Sequence, residues 1–149
     1  MKLITSSWIK RILLLCIFIF ISYAWYLNSL VKAEFSSDIG SMEDVIQVQY
    51  SFDEYPKDLV NMLLLVEDQS FFNHSGVDFK EILRVLYGYL FDEKELRGAS
   101  TISQQLIKNS LLSRDKTLSR KVEEALMAII LELSYDKKFI LERYMNTVY

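Results

Sequence analysis

Two adjacent carboxylates, Glu67 and Asp68, are the first residues in this sequence that could do chemistry. They follow an apolar segment, residues 59–66, which Pro56 should open as a helix. Negative charge at the C-terminal end of a helix opposes the helix dipole and costs from a few tenths to about 1 kcal/mol. A glutamate that is partly withdrawn from water in a cleft is a competent general base. Taken alone, however, the pair fits an exposed acidic turn better than a catalytic site.

Glu124 is the second candidate, on a helix that Thr117 should begin. It lies about 200° around this helix from Val122 and so points away from the main apolar stripe. Arg120 precedes it by one turn, which is the usual spacing of a solvated ion pair. Leu131 lies near the same direction two turns later, and this also allows the charged pair to line a cleft. The predicted core-facing stripe comprises Leu118, Val122, Ala125, Leu126, Ile129, Ile130 and Leu133.

The segment from residue 98 to residue 109 concentrates hydroxyls, amides and a cation in little more than two helical turns. Such a density of hydrogen-bonding groups suits recognition of a sugar, although a polar, capped surface helix would have the same composition. The lone His74 either orients a neighbouring acid or is structural, and it excludes a site built from several histidines. Cations that could hold a phosphate or pyrophosphate are Lys108, Lys116, Arg120 and Lys121.

An apolar run near the N-terminus should hold this chemistry at a membrane. Residues 12–31 approach the roughly 20 residues that cross a bilayer as a helix. Basic residues precede the run and acidic residues follow it, so residues 1–11 should form a cytoplasmic tail and the rest should lie outside. A cleaved signal peptide is the alternative. The polar residues 32–44 are predicted to form a linker.

The composition favours a mainly α-helical domain, because the 149 residues include only 4 glycines and 1 proline. The net charge of −3 gives no support for nucleic acid binding. Residues 45–52 alternate in part and are predicted to form a short strand. Further helices should begin at Asp78, where Glu81 would complete a capping box, at Ser100 and at Asp136.

Three long segments resemble the motifs of the peptidoglycan glycosyltransferase family, glycosyltransferase family 51. The first, EDQSFFNHSGVD at residues 67–78, has the acid pair, aromatic, histidine, glycine and aspartate in the family's order. The second is GASTISQQLIKN at residues 98–109, and the third combines RKVEE, LE and ILERYMN between residues 120 and 146. The family comprises monofunctional transglycosylases and the glycosyltransferase domains of class A penicillin-binding proteins. The resemblance covers roughly residues 45–149.

This resemblance implies a lysozyme-like helical domain, after a transmembrane helix, and a defined reaction. Lipid II units are joined into glycan strands, and polyprenyl pyrophosphate is released. Glu67 would deprotonate the acceptor hydroxyl, and Glu124 would arrange the pyrophosphate side of the site. The implied substrate-binding residues are Asp68, His74, Ser100, Thr101, Gln104, Gln105, Lys108, Asn109, Lys116, Arg120 and Lys121.

The resemblance also bears on cofactors, partners and location. It suggests a divalent cation, Mg²⁺ or Mn²⁺, with Glu124 as a candidate ligand, and no organic cofactor. The implied partners are lipid II, the growing glycan chain, the bilayer, transpeptidases and other cell-wall proteins. The implied location is a single pass in the bacterial cytoplasmic membrane with the catalytic domain outside. A set of apolar residues is expected in the core, with membrane contact as the alternative: Leu86, Tyr87, Tyr89, Leu90 and Phe91.

The sequence departs from the family pattern at two positions and at its end. Ser103 stands where the family usually has threonine, which keeps the hydroxyl. Lys116 stands where arginine is common, which keeps the charge but loses the bidentate fork. The family domain continues for several dozen residues past the point reached by Tyr149, so residues 45–149 are expected to form a C-terminally truncated domain.

Two other functions compete with polymerisation. A lytic glycosidase of lysozyme type also uses two carboxylates across a cleft, but it has no pyrophosphate for the cations beside Glu124 to hold. A membrane-anchored helical interaction fragment, inactive through truncation, is the non-enzymatic alternative.

Overall fold

The computed structural model describes residues 2–36, 50–91, 98–113, 115 and 117–148. These residues form six α-helices and two short 3₁₀ helices and contain no strand, which confirms the predicted mainly α, lysozyme-like class. The α-helices are α1 (Lys2–Phe35), α2 (Lys57–Glu67), α3 (Phe79–Phe91), α4 (Ile102–Ser110), α5 (Leu118–Ser134) and α6 (Lys137–Val148). The 3₁₀ helices are Phe52–Glu54 and Phe71–Asn73.

Helix α4 lies at the centre of the domain and packs against both α5 and α6. Its apolar residues Ile102, Leu106 and Ile107 are fully buried, and so are Ile140 and Leu141 of α6. Each such side chain contributes about 1.5–3 kcal/mol when it is withdrawn from water. The polar segment that carries most of the candidate residues is therefore fixed by the best-packed part of the fold.

Helix α1 has two differently exposed parts. The stretch Trp8–Phe35 is long and apolar enough to cross a membrane, and most side chains from Trp8 to Tyr26 are exposed. Leu27, Val31 and Phe35 are only 2%, 0% and 5% exposed and belong to the core of the domain. Their four-residue spacing places them on one helix face, the face that packs on α5.

The predicted linker was therefore wrong at its start. Lys32 to Phe35 continue α1 because Val31 and Phe35 extend the buried face that Leu27 begins. Residues 37–44 of that linker lie outside the described residues. The apolar N-terminal helix thus enters the globular domain without a break.

The start of the globular domain also differs from prediction. In the proposed strand at residues 45–52, residues 45–49 lie outside the described part, and Phe52 begins a 3₁₀ helix. The backbone amides of Tyr50 and Phe52 donate to Asn146 Oδ1 at 3.0 Å and to Glu142 Oε2 at 2.7 Å. Side chains of α6 thus take the hydrogen bonds that a partner strand would have taken.

Three of the predicted helix starts are confirmed by hydrogen bonds. Asp78 accepts from the backbone amide of Glu81 at 2.9 Å, and Asp136 accepts from that of Phe139 at 2.8 Å. The Thr117 hydroxyl accepts from the amide of residue 120 at 3.2 Å. Each cap satisfies a backbone amide that the first helical turn leaves unpaired.

The predicted cap of α4 was wrong by one residue. Thr101, not Ser100, is the N-cap, and it forms a capping box with Gln104. The Ser100 hydroxyl instead accepts a hydrogen bond from Lys121 Nζ at 2.7 Å. Both hydroxyls could cap a helix, and the long-range contact with α5 decides which one does.

The buried face of α5 is not the predicted apolar stripe. Leu118, Val122 and Leu133 are 82%, 53% and 79% exposed. The buried residues are Glu124, Met127, Ala128 and Leu131. This face is selected by its neighbours α1, α4 and α6, and its one charged member is neutralised by local cations, as described below.

Helix α3 also contradicts a core assignment. The five apolar residues expected in the core are between 46% and 68% exposed: Leu86, Tyr87, Tyr89, Leu90 and Phe91. Gly88 is the one residue of this helix that is buried. The core assignment of these residues is therefore wrong, and contact with a membrane stays a prediction.

Candidate active site

An open cavity of about 530 Å³ contains the first candidate carboxylate. It lies between the end of α2, the start of α3 and residues 98–101. Glu67 is the last residue of α2 and is exposed in this cavity. The helix thus ends where its terminal side chain meets an open, solvent-filled space large enough for part of a sugar chain.

Glu67 is held by a single neutral partner. Gln105 Nε2, on α4, donates to Glu67 Oε2 at 2.8 Å. Gln105 Oε1 in turn accepts from the hydroxyl of Tyr144, on α6, at 3.1 Å. No cation among the described residues is paired with Glu67, so its carboxylate is available to accept a proton.

Asp68 is turned into the protein although it is adjacent to Glu67. It is 7% exposed, and its Oδ2 accepts from the Ile102 backbone amide at 3.0 Å. His74 Nε2 lies 2.9 Å from the same oxygen. Asp68 therefore ties the end of α2 to the N-terminus of α4, where the helix dipole favours a negative charge. This geometry favours a positioning role over direct substrate contact.

His74 is enclosed between two acids. Its side chain is 6% exposed, and its Nδ1 lies 3.8 Å from Glu132 Oε1 on α5, beyond hydrogen-bond distance. Glu132 Oε1 accepts from Ser103 Oγ at 2.5 Å and from Lys137 Nζ at 2.7 Å. The serine that replaces the usual threonine thus keeps its hydroxyl in use. This buried cluster joins α4, α5 and α6 behind the cavity.

Gly76 lets the first motif approach α5. Its φ is +89°, in the left-handed region that favours glycine, and an added Cβ would lie 2.6 Å from the Ala128 carbonyl oxygen. The Gly76 carbonyl accepts from the Thr101 hydroxyl at 2.6 Å. Thr101 is 3% exposed and Gln104 is 2% exposed. Thr101 borders the cavity, but the hydrogen bonds of both side chains are used in this junction and in capping α4.

Glu124 is the opposite of Glu67 in its surroundings. It is 1% exposed, and both of its oxygens are paired with cations. Arg120 Nη1 donates to Oε2 at 2.9 Å, and Lys121 Nζ donates to Oε1. A buried carboxylate needs such compensation. The side chains of Arg120 and Lys121 are 16% and 43% exposed, so part of each cation still faces solvent.

Ser100 connects the two carboxylates. It lines the cavity that contains Glu67, and its hydroxyl is bonded to the Lys121 ammonium that pairs with Glu124. Lys108 and Asn109 are exposed near the end of α4, and Lys108 makes no ion pair with a described carboxylate. Lys116 lies outside the described residues.

Comparison with known proteins identifies the family of this chain. The family model described as transglycosylase matches residues 36–149. The chain belongs to the transglycosylase family. It is 44% identical to penicillin-binding protein 1B of Haemophilus influenzae over 95 residues, which are 64% of this chain and 12% of that protein.

Relatives from other bacteria align over more of the chain. Penicillin-binding protein 1A of Clostridium tetani is 40% identical over 111 residues, which are 72% of this chain and 14% of that protein. Penicillin-binding protein 1F of Bacillus subtilis is 35% identical over 122 residues, or 82% of this chain and 17% of that protein. The chain therefore spans a small part of the length of the curated relatives it matches.

Within this transglycosylase chain, sequence reasoning did not assign a role to Tyr144, Glu132 or Lys137. A signal for Glu132 was present, because it follows Glu124 and Ala128 at four-residue steps on one face of α5. Tyr144 and Lys137 had no such local signal. The hydrogen-bond partner of Tyr144 is 39 residues away in the sequence, and the partner of Lys137 lies on a different helix.

The surroundings of Glu124 are a poor ligand set for the predicted divalent cation. Mg²⁺ and Mn²⁺ prefer oxygen ligands, whereas both oxygens of Glu124 are occupied by the cations Arg120 and Lys121. The described residues contain no group of three or more potential metal-ligating side chains. Glu124 therefore serves the cationic groups, and a divalent cation stays a prediction, tested by adding a chelator to the reaction.

Proposed function

We propose that this chain carries the acid–base half of a peptidoglycan glycosyltransferase site that joins lipid II units into glycan strands. One observation supports this most strongly in a chain of the transglycosylase family. Glu67 is exposed in a cavity and makes no ion pair with a described residue, and Ser100, in the wall of the same cavity, accepts a hydrogen bond from Lys121 of the cation cluster. The site thus contains a proton acceptor and, near it, cations that can stabilise an anion. The reaction requires both.

In the proposed reaction, Glu67 takes the proton of the acceptor's GlcNAc 4-hydroxyl. The oxygen attacks the anomeric carbon of the donor MurNAc and forms a new β-linked glycosidic bond. The bond between that carbon and the pyrophosphate oxygen breaks, and its electron pair leaves with the polyprenyl pyrophosphate. Glu67 is exposed, and among the described residues it is paired only with the neutral Gln105 amide, which leaves its carboxylate open to the substrate hydroxyl.

The leaving pyrophosphate needs positive charge around it, because its negative charge grows as the bond breaks. Lys121 and Arg120 are held by Glu124 and are partly open to solvent. Lys108 is exposed and makes no ion pair with a described carboxylate. Glu124 thus orients two cations and reduces their mutual repulsion, while a third is free to follow the substrate.

The membrane supplies both substrates, and two helices suit it. We infer that α1 crosses the bacterial cytoplasmic membrane once, with the remaining helices outside. Leu83, Leu86 and Leu90 of α3 share one helix face and are 65%, 46% and 61% exposed. Such a face suits the apolar layer beneath the headgroups. Transpeptidases and other cell-wall proteins remain proposed partners.

A polymerisation assay separates this function from its rivals. The full chain is placed in vesicles with fluorescent lipid II, and the products are resolved by size. We expect glycan polymer and no cleavage of finished peptidoglycan. Cleavage of peptidoglycan without polymer would favour the lytic glycosidase. Absence of both activities would favour the interaction fragment.

A further inference from the structure

Tyr144 occupies a place that neither the proposed chemistry nor core packing alone explains. It lies on α6 and is 2% exposed, beside the fully buried Leu141 and Met145. Its hydroxyl is directed to Gln105 Oε1 at 3.1 Å. The other end of that amide reaches Glu67 at 2.8 Å. A hydroxyl of the core is therefore linked through one side chain to the proposed base.

The direction of both hydrogen bonds is fixed by chemistry. An ionised carboxylate only accepts, so the Gln105 amide must present its NH₂ group to Glu67. The amide oxygen then faces Tyr144, whose hydroxyl must donate. If the amide turned over, its oxygen would face the carboxylate and the bond to Glu67 would be lost, although the Tyr144 hydroxyl could still accept from the NH₂ group. The carboxylate thus sets the orientation of the amide, and the Tyr144 hydroxyl holds the amide in place beside Glu67.

Glu67 needs such support because it is exposed at a helix end. Its side chain has several rotatable bonds, and solvent alone would leave it among several rotamers. Only Oε2 accepts a hydrogen bond from a described residue, so the second oxygen remains available to the substrate. A displacement of about 1 Å at a reacting group can lower the rate about 10²-fold.

We infer that Tyr144 is a positioning residue for the glycosyl transfer, acting through Gln105 on the carboxylate of Glu67. This inference rests on the proposed function. It also changes the role of Gln105, which the sequence predicted to bind substrate. Tyr144 reaches the base from α6, so correct docking of α6 on α4 becomes a condition for turnover.

The test is the variant Tyr144→Phe in the full chain, assayed for lipid II polymerisation in vesicles. We expect kcat to fall about tenfold to 10²-fold, while KM for lipid II changes less than about twofold, because uniform substrate binding is left intact. The matched control is Tyr55→Phe. It removes a hydroxyl that also makes a 3.1 Å bond to an amide oxygen of α6, that of Asn146.

A double mutant separates positioning from a loss of stability. Gln105→Ala should lower kcat at least as much as Tyr144→Phe. Adding Tyr144→Phe to Gln105→Ala should then have no further effect, because the link is already broken. Two independent, multiplying losses would overturn the inference, and so would equal kcat values for Tyr144→Phe and Tyr55→Phe. All assays are run well below the melting temperature of each variant.

A spectroscopic measurement keeps the inference separable from the proposed function. The ¹⁵N side-chain amide resonance of Gln105 should shift in Tyr144→Phe and in Glu67→Gln and stay in place in Tyr55→Phe. If the Gln105 resonance does not shift in Tyr144→Phe, the proposed link between Tyr144 and Glu67 is wrong, even if the chain polymerises lipid II. Wild-type chain that makes no polymer but shows these shifts would instead overturn the proposed function and leave the link standing.

Discussion

Glu67 and Glu124 are the same amino acid in opposite surroundings. Glu67 is exposed in an open cavity, and among the described residues it accepts one hydrogen bond, from a neutral amide. Glu124 is 1% exposed and is paired with the cations Arg120 and Lys121. Two carboxylates on one scaffold are thus given different tasks by their environments. The first faces the open cavity with no cation paired to it among the described residues, whereas the second pairs with two cations.

The two glutamates also differ in how much their charges must be compensated by neighbouring groups for the fold to be stable. Glu67 ends a helix in contact with water, so it needs little compensation. Glu124 has lost almost all of its hydration and depends on Arg120 and Lys121 for its stability. Mutations at Glu67 should therefore affect the reaction alone, and mutations at Glu124 should affect both the reaction and the fold.

The largest effect is expected for Glu67→Gln. Loss of a general base lowers turnover about 10²- to 10⁴-fold, while the melting temperature should stay close to that of the unmodified chain. The measurement is lipid II polymerisation together with thermal unfolding. The matched control is Glu81→Gln, which changes another acid of the same cavity wall. Near-normal polymer from Glu67→Gln would refute its assignment as the base.

Glu124→Gln should lower both the stability of the fold and the rate of turnover. Removing the charge leaves two cations without their counter-ion and should lower stability by about 1–3 kcal/mol. Turnover should fall as well, because Arg120 and Lys121 lose their orientation. Chemical denaturation and the polymerisation assay measure the two effects. Glu123→Gln is the control, since this neighbouring acid accepts a hydrogen bond from Tyr23 of α1. A change in stability with normal turnover would reduce Glu124 to a structural ion pair.

Gly76→Ala tests whether the exposed base depends on the buried network behind it. The added Cβ would clash with the backbone at Ala128, and the positive φ adds strain. We expect a stability loss of about 1–3 kcal/mol and a parallel loss of turnover. Gly98→Ala is the matched control, because nothing lies within 4 Å of a Cβ at that position. Equal stability of the two variants would show that the loop can move away from α5.

The smallest effect concerns a third acid of the cavity, Asp78. The Ser70 hydroxyl and the Glu81 backbone amide, both hydrogen-bonded to Asp78, lower the pKa of its carboxyl below the ordinary 3.8. A lowered folded-state pKa stabilises the protein above pH 3.8, and this contribution is lost as the pH falls through the folded-state pKa. Ser70→Ala should therefore weaken this contribution and move acid unfolding to a slightly higher pH. An unchanged acid midpoint, followed by circular dichroism, would show that Ser70 contributes nothing to the cap.

Local signals in the sequence predicted much of this molecule. Asp78, Thr117 and Asp136 begin their helices as expected, because a cap depends on residues only two or three positions away. The candidate residues Glu67, Ser100 and Gln105 share or adjoin one cavity, as the motifs implied. The prediction failed at Ser100 and Thr101, because the local sequence allows either hydroxyl to cap the helix.

The sequence by itself determined where α3, α5 and α6 begin, that the first helix is apolar enough for a membrane, and which residue types are available for the reaction. Only the tertiary structure decided how those residues are used. It exposed Glu67 and buried the adjacent Asp68, and it turned the Glu124 face of α5 inward although Leu118 and Val122 are more apolar. The physical reason is that burial is set by contacts between distant helices, and a charge can join the core once neighbouring cations compensate it.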